Sequence, residues 1–390
     1  MGEWKEYRLD EVAEITSSKR IFYSEYVSDG IPFYRSKEII DLYNNRNIST
    51  ELFISENRYN DIKLKYGVPQ EDDILLTSVG SIGIPYLVKN TDKFYFKDGN
   101  LTWMRNINKN IILPQYFILW ICSNIGKQKL DEVTIGSTQP ALTISGLKTI
   151  EIELPSIEEQ KRITSVISSL DDKIGLLHQE NKTLEAMAET LFRKWFIEDA
   201  KEEWEDGIIA DLIDFNPHRK LSKGNKSPFL EMSNLNTSTY CPITWRDREF
   251  MSGTKFINGD ALLARITPCL ENGKTAYVDF LEEGQVGWGS TEFIVMRAKH
   301  GLHPFFSYII AKYQDFRDFA ESCMAGSSGR QRVDINNLMN YEIKIPEKKV
   351  IDVFNHSINY MVTKMHNNND EIYSLTQIRN ILSFKLMNNE

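Results

Sequence analysis

The residues best equipped for chemistry are few and poorly spaced for it. Pro268-Cys269-Leu270-Glu271-Asn272-Gly273-Lys274-Thr275 ends as a phosphate-binding loop does, in Gly-Lys-Thr, but Pro268 stands where the first glycine belongs. A cradle of backbone N–H groups cannot use a residue that lacks one and whose φ is fixed, so nucleotide hydrolysis is not expected. An amino-methyltransferase would carry an Asn/Asp-Pro-Pro-aromatic run; Asn216-Pro217-His218-Arg219 lacks the second proline and the stacking ring. His300-Gly301-Leu302-His303 has no acidic or thiol company to complete a metal site. Cys122, Cys241, Cys269 and Cys323 form no Cys-x-x-Cys pair, and free thiols in a reducing compartment are expected. No Ser/His/Asp set or paired carboxylates stand out. The chain reads as a non-enzyme holding no metal and no cofactor of its own.

What remains is a set of polar loops that suit contact with phosphates and base edges. In the first half these are Arg35, Ser36 and Lys37, then Thr77, Ser78 and Ser81 after a strand-like run, then Ser137, Thr138 and Gln139. In the second half they are Arg265, Thr267, Asn272 and Lys274, then Ser328, Arg330, Gln331 and Arg332. Each set alone also fits a solvated turn. Their recurrence at matching places favours double-stranded DNA as the ligand, and their differences predict two different short sequences read.

That recurrence comes from a repeat covering the chain. Ser137-Thr138-Gln139-Pro140-Ala141-Leu142-Thr143-Ile144-Ser145-Gly146-Leu147 runs into Glu151-Ile152-Glu153-Leu154-Pro155, and Ser328-Gly329-Arg330-Gln331-Arg332-Val333-Asp334-Ile335-Asn336-Asn337-Leu338 runs into Glu342-Ile343-Lys344-Ile345-Pro346. The offset is roughly 191 residues, too long for a solenoid repeat. At the front Trp4, Leu9, Val12 and Ile15 match Trp204, Ile209, Leu212 and Phe215. Each unit opens with a Trp and an amphipathic, helix-like stretch. Strand-like runs at 73–77 and 85–88 answer those at 260–265 and 274–278, and apolar helices begin at Tyr116 and Phe306. The globular regions are therefore expected to be α/β or α+β, strands first and helices later, with strand order left open.

After each proline comes a heptad seam. In the first copy it is Ile163, Ile167, Leu170, Ile174, Leu177, Asn181, Leu184, Ala188, Leu191 and Trp195. In the second it is Phe354, Ile358, Met361, Met365, Asn368, Ile372, Leu375, Arg379, Leu382 and Leu386. Two stripes of about 40 residues, roughly 60 Å each, exceed an ordinary domain core and are expected to pack on each other. A pseudo-twofold axis across the pair makes the helices antiparallel, a ruler with a globular region at each end. Asn181 and Asn368 either fix its register or lie at frayed or partner-facing positions.

With 390 residues and 41% hydrophobic content, the chain has material for two cores. The start carries no signal-peptide h-region and no apolar run spans a bilayer, so a soluble, cytoplasmic protein that does not engage a membrane is expected. A formal net charge of −9 opposes simple DNA binding, because phosphate neutralisation dominates affinity. The conflict eases if the acids gather on the helices and partner-facing surfaces, leaving weak binding by the isolated chain and a need for basic partners.

Taken together, these features resemble the specificity subunit of type I restriction-modification systems. The strongest local matches are the stretch from Gly259 to Thr275, Leu154-Pro155-Ser156-Ile157-Glu158-Glu159-Gln160, and Leu191-Phe192-Arg193-Lys194-Trp195-Phe196. The resemblance implies two target-recognition domains, 1–155 and 201–346, separated by two long antiparallel coiled-coil helices, 156–200 and 347–390. It implies that each domain reads half of a bipartite, asymmetric DNA site, while the spacer length sets the unspecified gap. It further implies two modification (methyltransferase) subunits as partners, methylating adenine N6, and restriction (translocase/endonuclease) subunits where the system has them. S-adenosylmethionine, ATP and Mg2+ would belong to those partners. Glu347-Lys348-Lys349-Val350 departs from the Ile157-Glu158-Glu159-Gln160 pattern, which puts equal docking faces on the two helices in doubt. A non-catalytic protein-binding scaffold with duplicated domains is the alternative. An enzyme with a cryptic site around Lys274 is a third reading, resting on the Gly-Lys-Thr ending alone.

Overall fold

The computed structural model describes residues 4–387 except 45, 47, 236, 300 and 328. The chain divides into two compact units, Met1–Asp172 with Leu375–Glu390, and Lys173–Ser374. No helix among the described residues is long and apolar enough to cross a membrane.

In unit 1 the main sheet is antiparallel, in the order Glu14–Thr16, Leu101–Arg105, Ile74–Thr77, Pro85–Leu87. Ile74–Thr77 is buried along its whole length because alternate side chains serve two cores. Ile74 and Leu76 join Leu9, Val12, Ile15, Tyr116 and Phe117, while Leu75 joins Phe96 and Trp103. A smaller sheet includes Ile31–Tyr34 lying parallel to Tyr95–Phe96. The stretch after Trp4, expected to be helical, is instead the strand Lys5–Arg8, a single helical turn at Leu9–Val12, and the strand Glu14–Thr16. Pairing of Lys5–Arg8 with Glu151–Leu154 claims backbone groups that a longer helix would need.

Unit 2 repeats the plan. Its main sheet runs Ile213–Phe215, Phe293–Ala298, Ala261–Ala264, Thr275–Tyr277, and Glu205–Ile208 pairs with Glu342–Ile345. Ala261 and Leu263 face one core and Leu262 the other.

Two long helices, Ile157–Phe192 and Lys348–Met387, each supply a segment to both units. Every residue of the two heptad seams is buried or half-buried. In unit 2 the helices run in opposite senses, since Lys173 pairs with Glu371 at 3.2 Å, Asn368 bonds Asn181 at 2.8 Å, and the Trp195 and Phe354 rings lie 6.3 Å apart. Asn181 and Asn368 are buried and bonded to each other, which excludes the frayed position for both. From Asn181 the network continues through Asn369, which accepts at 2.9 Å, to Tyr240 and Asp279, each link 2.7 Å. In unit 1 Ile163 and Ile167 share a core with Leu382, Leu386 and Met387, and Arg379 pairs with Asp171 at 3.1 Å. The first helix widens into a π turn over Arg193–Glu198, where Phe192 and Phe196 stack and both meet Phe306.

The helix starts are tied to the domains by one device in two versions. Gln160, fully buried, accepts from the Leu113 N–H at 2.9 Å and donates to the Ile111 carbonyl at 2.8 Å. In unit 2 Asn355 accepts from the His303 N–H and donates to the Gly301 carbonyl, both at 2.7 Å. Leu113-Pro114 and His303-Pro304 are equivalent, but Asn355 stands one helical turn beyond the position that matches Gln160. The unusual start of the second helix is thereby compensated.

Candidate nucleic-acid interface

In each unit the central strand ends in a loop that is bonded on both sides by other polar segments. In unit 1 the Ser78 N–H donates to the Asn100 carbonyl, and the Leu142 N–H to the Ser78 carbonyl, both at 2.8 Å. Val79 and Ala141 extend that join as a bridge. Ser36 Oγ reaches the same Asn100 carbonyl at 3.4 Å, Ser17 Oγ donates to the Leu101 carbonyl at 3.3 Å, and Arg20 Nε donates to Asp98 at 2.9 Å. Residues 98–101 are thus a hub where the start of the helix Ser36–Tyr43, the loop after Thr77 and the segment 17–20 meet, and the hairpin at 134–142 joins it through Ser78 and Val79.

Unit 2 has the same backbone pattern. The Arg265 N–H donates to the Glu292 carbonyl at 2.9 Å and the Val333 N–H to the Arg265 carbonyl at 3.0 Å. Ile266 bridges Arg332, and Thr267 and Gln331 exchange bonds at 3.2 Å. Ser78, Asn100 and Ala141 therefore correspond to Arg265, Glu292 and Arg332. The loops are held alike while their side chains differ.

The sequence-predicted residues fall into two groups. Ser81, Ser137, Thr138, Gln139, Lys37, Asn272, Arg330 and Arg332 are exposed. The others are spent on holding the loops. Thr77 is fully buried and its Oγ1 accepts from the Ile84 N–H at 3.0 Å; Ser78 is buried and its Oγ lies 2.7 Å from Thr102 Oγ1. Both hydroxyls are turned inward, Thr77 at the end of a strand covered on both sides and Ser78 in the loop that follows it. Their expected presentation to a ligand is therefore corrected to shaping the turn. Arg35 binds Glu38 at 2.9 Å, and this pairing raises the guanidinium further from neutrality. Arg265 Nε donates to the Val333 carbonyl at 3.1 Å, and Lys274 Nζ to the Met232 carbonyl at 3.0 Å. Lys274 thus ties the loop to residue 232, in the segment that corresponds to 35–37. Ser328 lies outside the described residues, as does His300 of the paired histidines. Among the described residues no group of three or more His, Cys, Asp or Glu could hold a metal ion.

Sequence reasoning overlooked the basic segments that leave the first strand of each main sheet. Lys19 and Arg20 are exposed in unit 1, and His218, Lys220 and Lys223 in unit 2. The signal was present, because the spacing that separates Trp4 from Trp204 also separates Lys19-Arg20 from Arg219-Lys220. Unit 2 anchors its segment with Lys255 Nζ, which donates to the Arg219 and Leu221 carbonyls at 3.3 and 3.1 Å. Asp260, fully buried, holds Arg219 and Arg297 at 3.2 and 3.1 Å. Burial pushes the Asp260 carboxyl up, against the Ile257 N–H and the two guanidinium groups.

The model of the type I restriction modification DNA specificity domain matches residues 1–186 and again 201–372. Similar proteins include the type I restriction enzyme HindI specificity subunit of Haemophilus influenzae, 26% identical over 200 residues, 51% of this chain and 42% of that protein. The MjaIX specificity subunit of Methanocaldococcus jannaschii is 29% identical over 219 residues, 54% of this chain and 48% of that protein. The chain thus spans about half the length of the curated relatives it matches. Among solved structures, the S subunit of a type I restriction-modification system from M. genitalium is similar in fold, with a TM-score of 0.57 at 14% identity, covering 98% of this chain and 96% of that one. With two matched copies of the domain, each built around the same loop-and-hub plan, the chain belongs to the type I restriction-modification DNA specificity family.

Proposed function

We propose that this chain is the DNA-recognition subunit of a type I restriction-modification complex and that each unit reads one half of a bipartite, asymmetric site. One observation carries the reading: two loop clusters share a backbone hydrogen-bond plan yet expose different side chains around it, Ser81, Ser137, Thr138 and Gln139 in one, Asn272, Arg330 and Arg332 in the other. Shared geometry gives a common approach to duplex DNA, and divergent side chains give different base preferences. The chain performs no catalysis. Two modification subunits methylate adenine N6 with S-adenosylmethionine, and restriction subunits, where present, use ATP and Mg2+. The acidic balance of the chain makes basic partners part of DNA binding. The test is filter binding of the chain assembled with its modification subunits, across a salt series, to DNA with and without the site found by mapping methylated adenines in the host. Sequence-dependent retention that weakens with salt is expected. Retention independent of sequence would overturn the reading in favour of a protein scaffold.

A further inference from the structure

Glu292 occupies the hub of unit 2, where unit 1 has Asn100, and its carboxylate receives Arg332 as a fork. Arg332 Nε lies 2.9 and 3.0 Å from the two carboxylate oxygens and Nη2 lies 2.6 Å from Oε1. The backbone below is fixed. The Glu292 N–H donates to Ser290 Oγ at 3.1 Å, and its carbonyl accepts from Arg265. Just upstream, a Cβ on Gly289 would stand 2.6 Å from both the Leu230 carbonyl oxygen and the Phe293 ring, so this stretch cannot shift easily. The Arg332 fork holds the Glu292 carboxyl below the usual carboxylate range, and the charges of Arg265 and Arg330 add to the effect.

The side chain of Glu292 is 22% exposed and that of Arg332 44%, so the acid is covered by the base. The fork consumes the Nε edge of the guanidinium. The Nη1–Nη2 edge, with two parallel N–H donors, has no protein partner among the described residues. In the major groove a pair of parallel donors matches the O6 and N7 acceptors of guanine. A carboxylate beside a DNA-facing arginine costs non-specific affinity, which sets this pair apart from a simple phosphate clamp. Unit 1 has Asn100 and Ala141 at the two positions and can make no such pair.

We propose that Glu292 is a positioning residue that holds Arg332 to read a guanine in the half-site bound by unit 2. This inference rests on the chain being the DNA-recognition subunit. The experiment replaces the gene in the host with R332A, R332K, E292Q, E292D and R330A variants, leaving the partner subunits intact, and maps methylated adenines genome-wide. In R332A and R332K, discrimination at one G·C pair of one half-site falls about 10- to 100-fold while the other half-site is unchanged. R332K keeps the charge and loses the planar donor pair, so it separates base reading from charge if R332A fails to fold. E292Q relaxes the same position by a smaller factor, and E292D retains it. R330A lowers methylation evenly across sites, as loss of a phosphate contact would. A wild-type bipartite motif that stays unaltered in R332K and E292Q, or an even decline across all sites in both, overturns this inference alone. A wild-type chain that yields no bipartite motif overturns the proposed function and this inference with it.

Discussion

Equivalent residues in the two units have been put to different uses. Asp73 and Asp260 both lie buried just before the central strand. Asp73 accepts from neutral donors, the Gln70 N–H and Trp103 Nε1, both at 2.9 Å. Asp260 also accepts from a backbone N–H, that of Ile257 at 2.8 Å, but faces two guanidinium groups as well. An Asp73→Asn change keeps an acceptor for both neutral donors and is expected to cost about 1 kcal/mol. Asp260→Ala leaves Arg219 and Arg297 without their counter-charge and is expected to destabilise unit 2 by about 3–5 kcal/mol. Urea unfolding followed by hydrogen exchange, which reports on each unit separately, checks both values.

At the scale of elements, the helices show how far sequence carries and where it stops. The heptad seams were legible because burial of one face imposes its own period, and every seam residue is covered as that period requires. The polar positions were legible as positions only. That Asn368 bonds Asn181, and Asn181 bonds Asn369, depends on the stagger of two distant segments, which no local pattern encodes. Compensation of Gln160 by Asn355 was hidden for the same reason, since a bond moved by one helical turn leaves no trace in residue-by-residue matching. Thr77 and Ser78 misled because a hydroxyl beside a glycine-rich loop resembles a ligand contact until the second core that covers it is known. Asn181→Leu leaves Asn368 with Glu180 alone and the Asn369 Oδ1 without its donor, and is expected to destabilise unit 2 by about 1–3 kcal/mol. Adding Asn368→Leu removes a second polar group and recovers part of that loss while weakening the choice of register. A double-mutant cycle by urea titration measures the coupling, and strictly additive losses would mean that the two amides act independently.

At the scale of the whole molecule, the proposed reading makes helix length the determinant of the gap between half-sites. A heptad inserted into both helices where the units divide, after Asp172 and after Ser374, adds about 10 Å of helix. Methylome mapping is then expected to show the unspecified gap longer by about three base pairs, with both half-sites unaltered. An unchanged gap would remove the helices as the ruler. The composition of unit 1 has a consequence for synthesis as well. Ile163 and Ile167 are covered together with Leu382, Leu386 and Met387, which the ribosome makes after the whole of unit 2, since that unit draws only on residues 173–374. Of the two units, the one whose translation starts earlier is therefore sealed later, and until then its nascent apolar face stands open to chaperones and proteases.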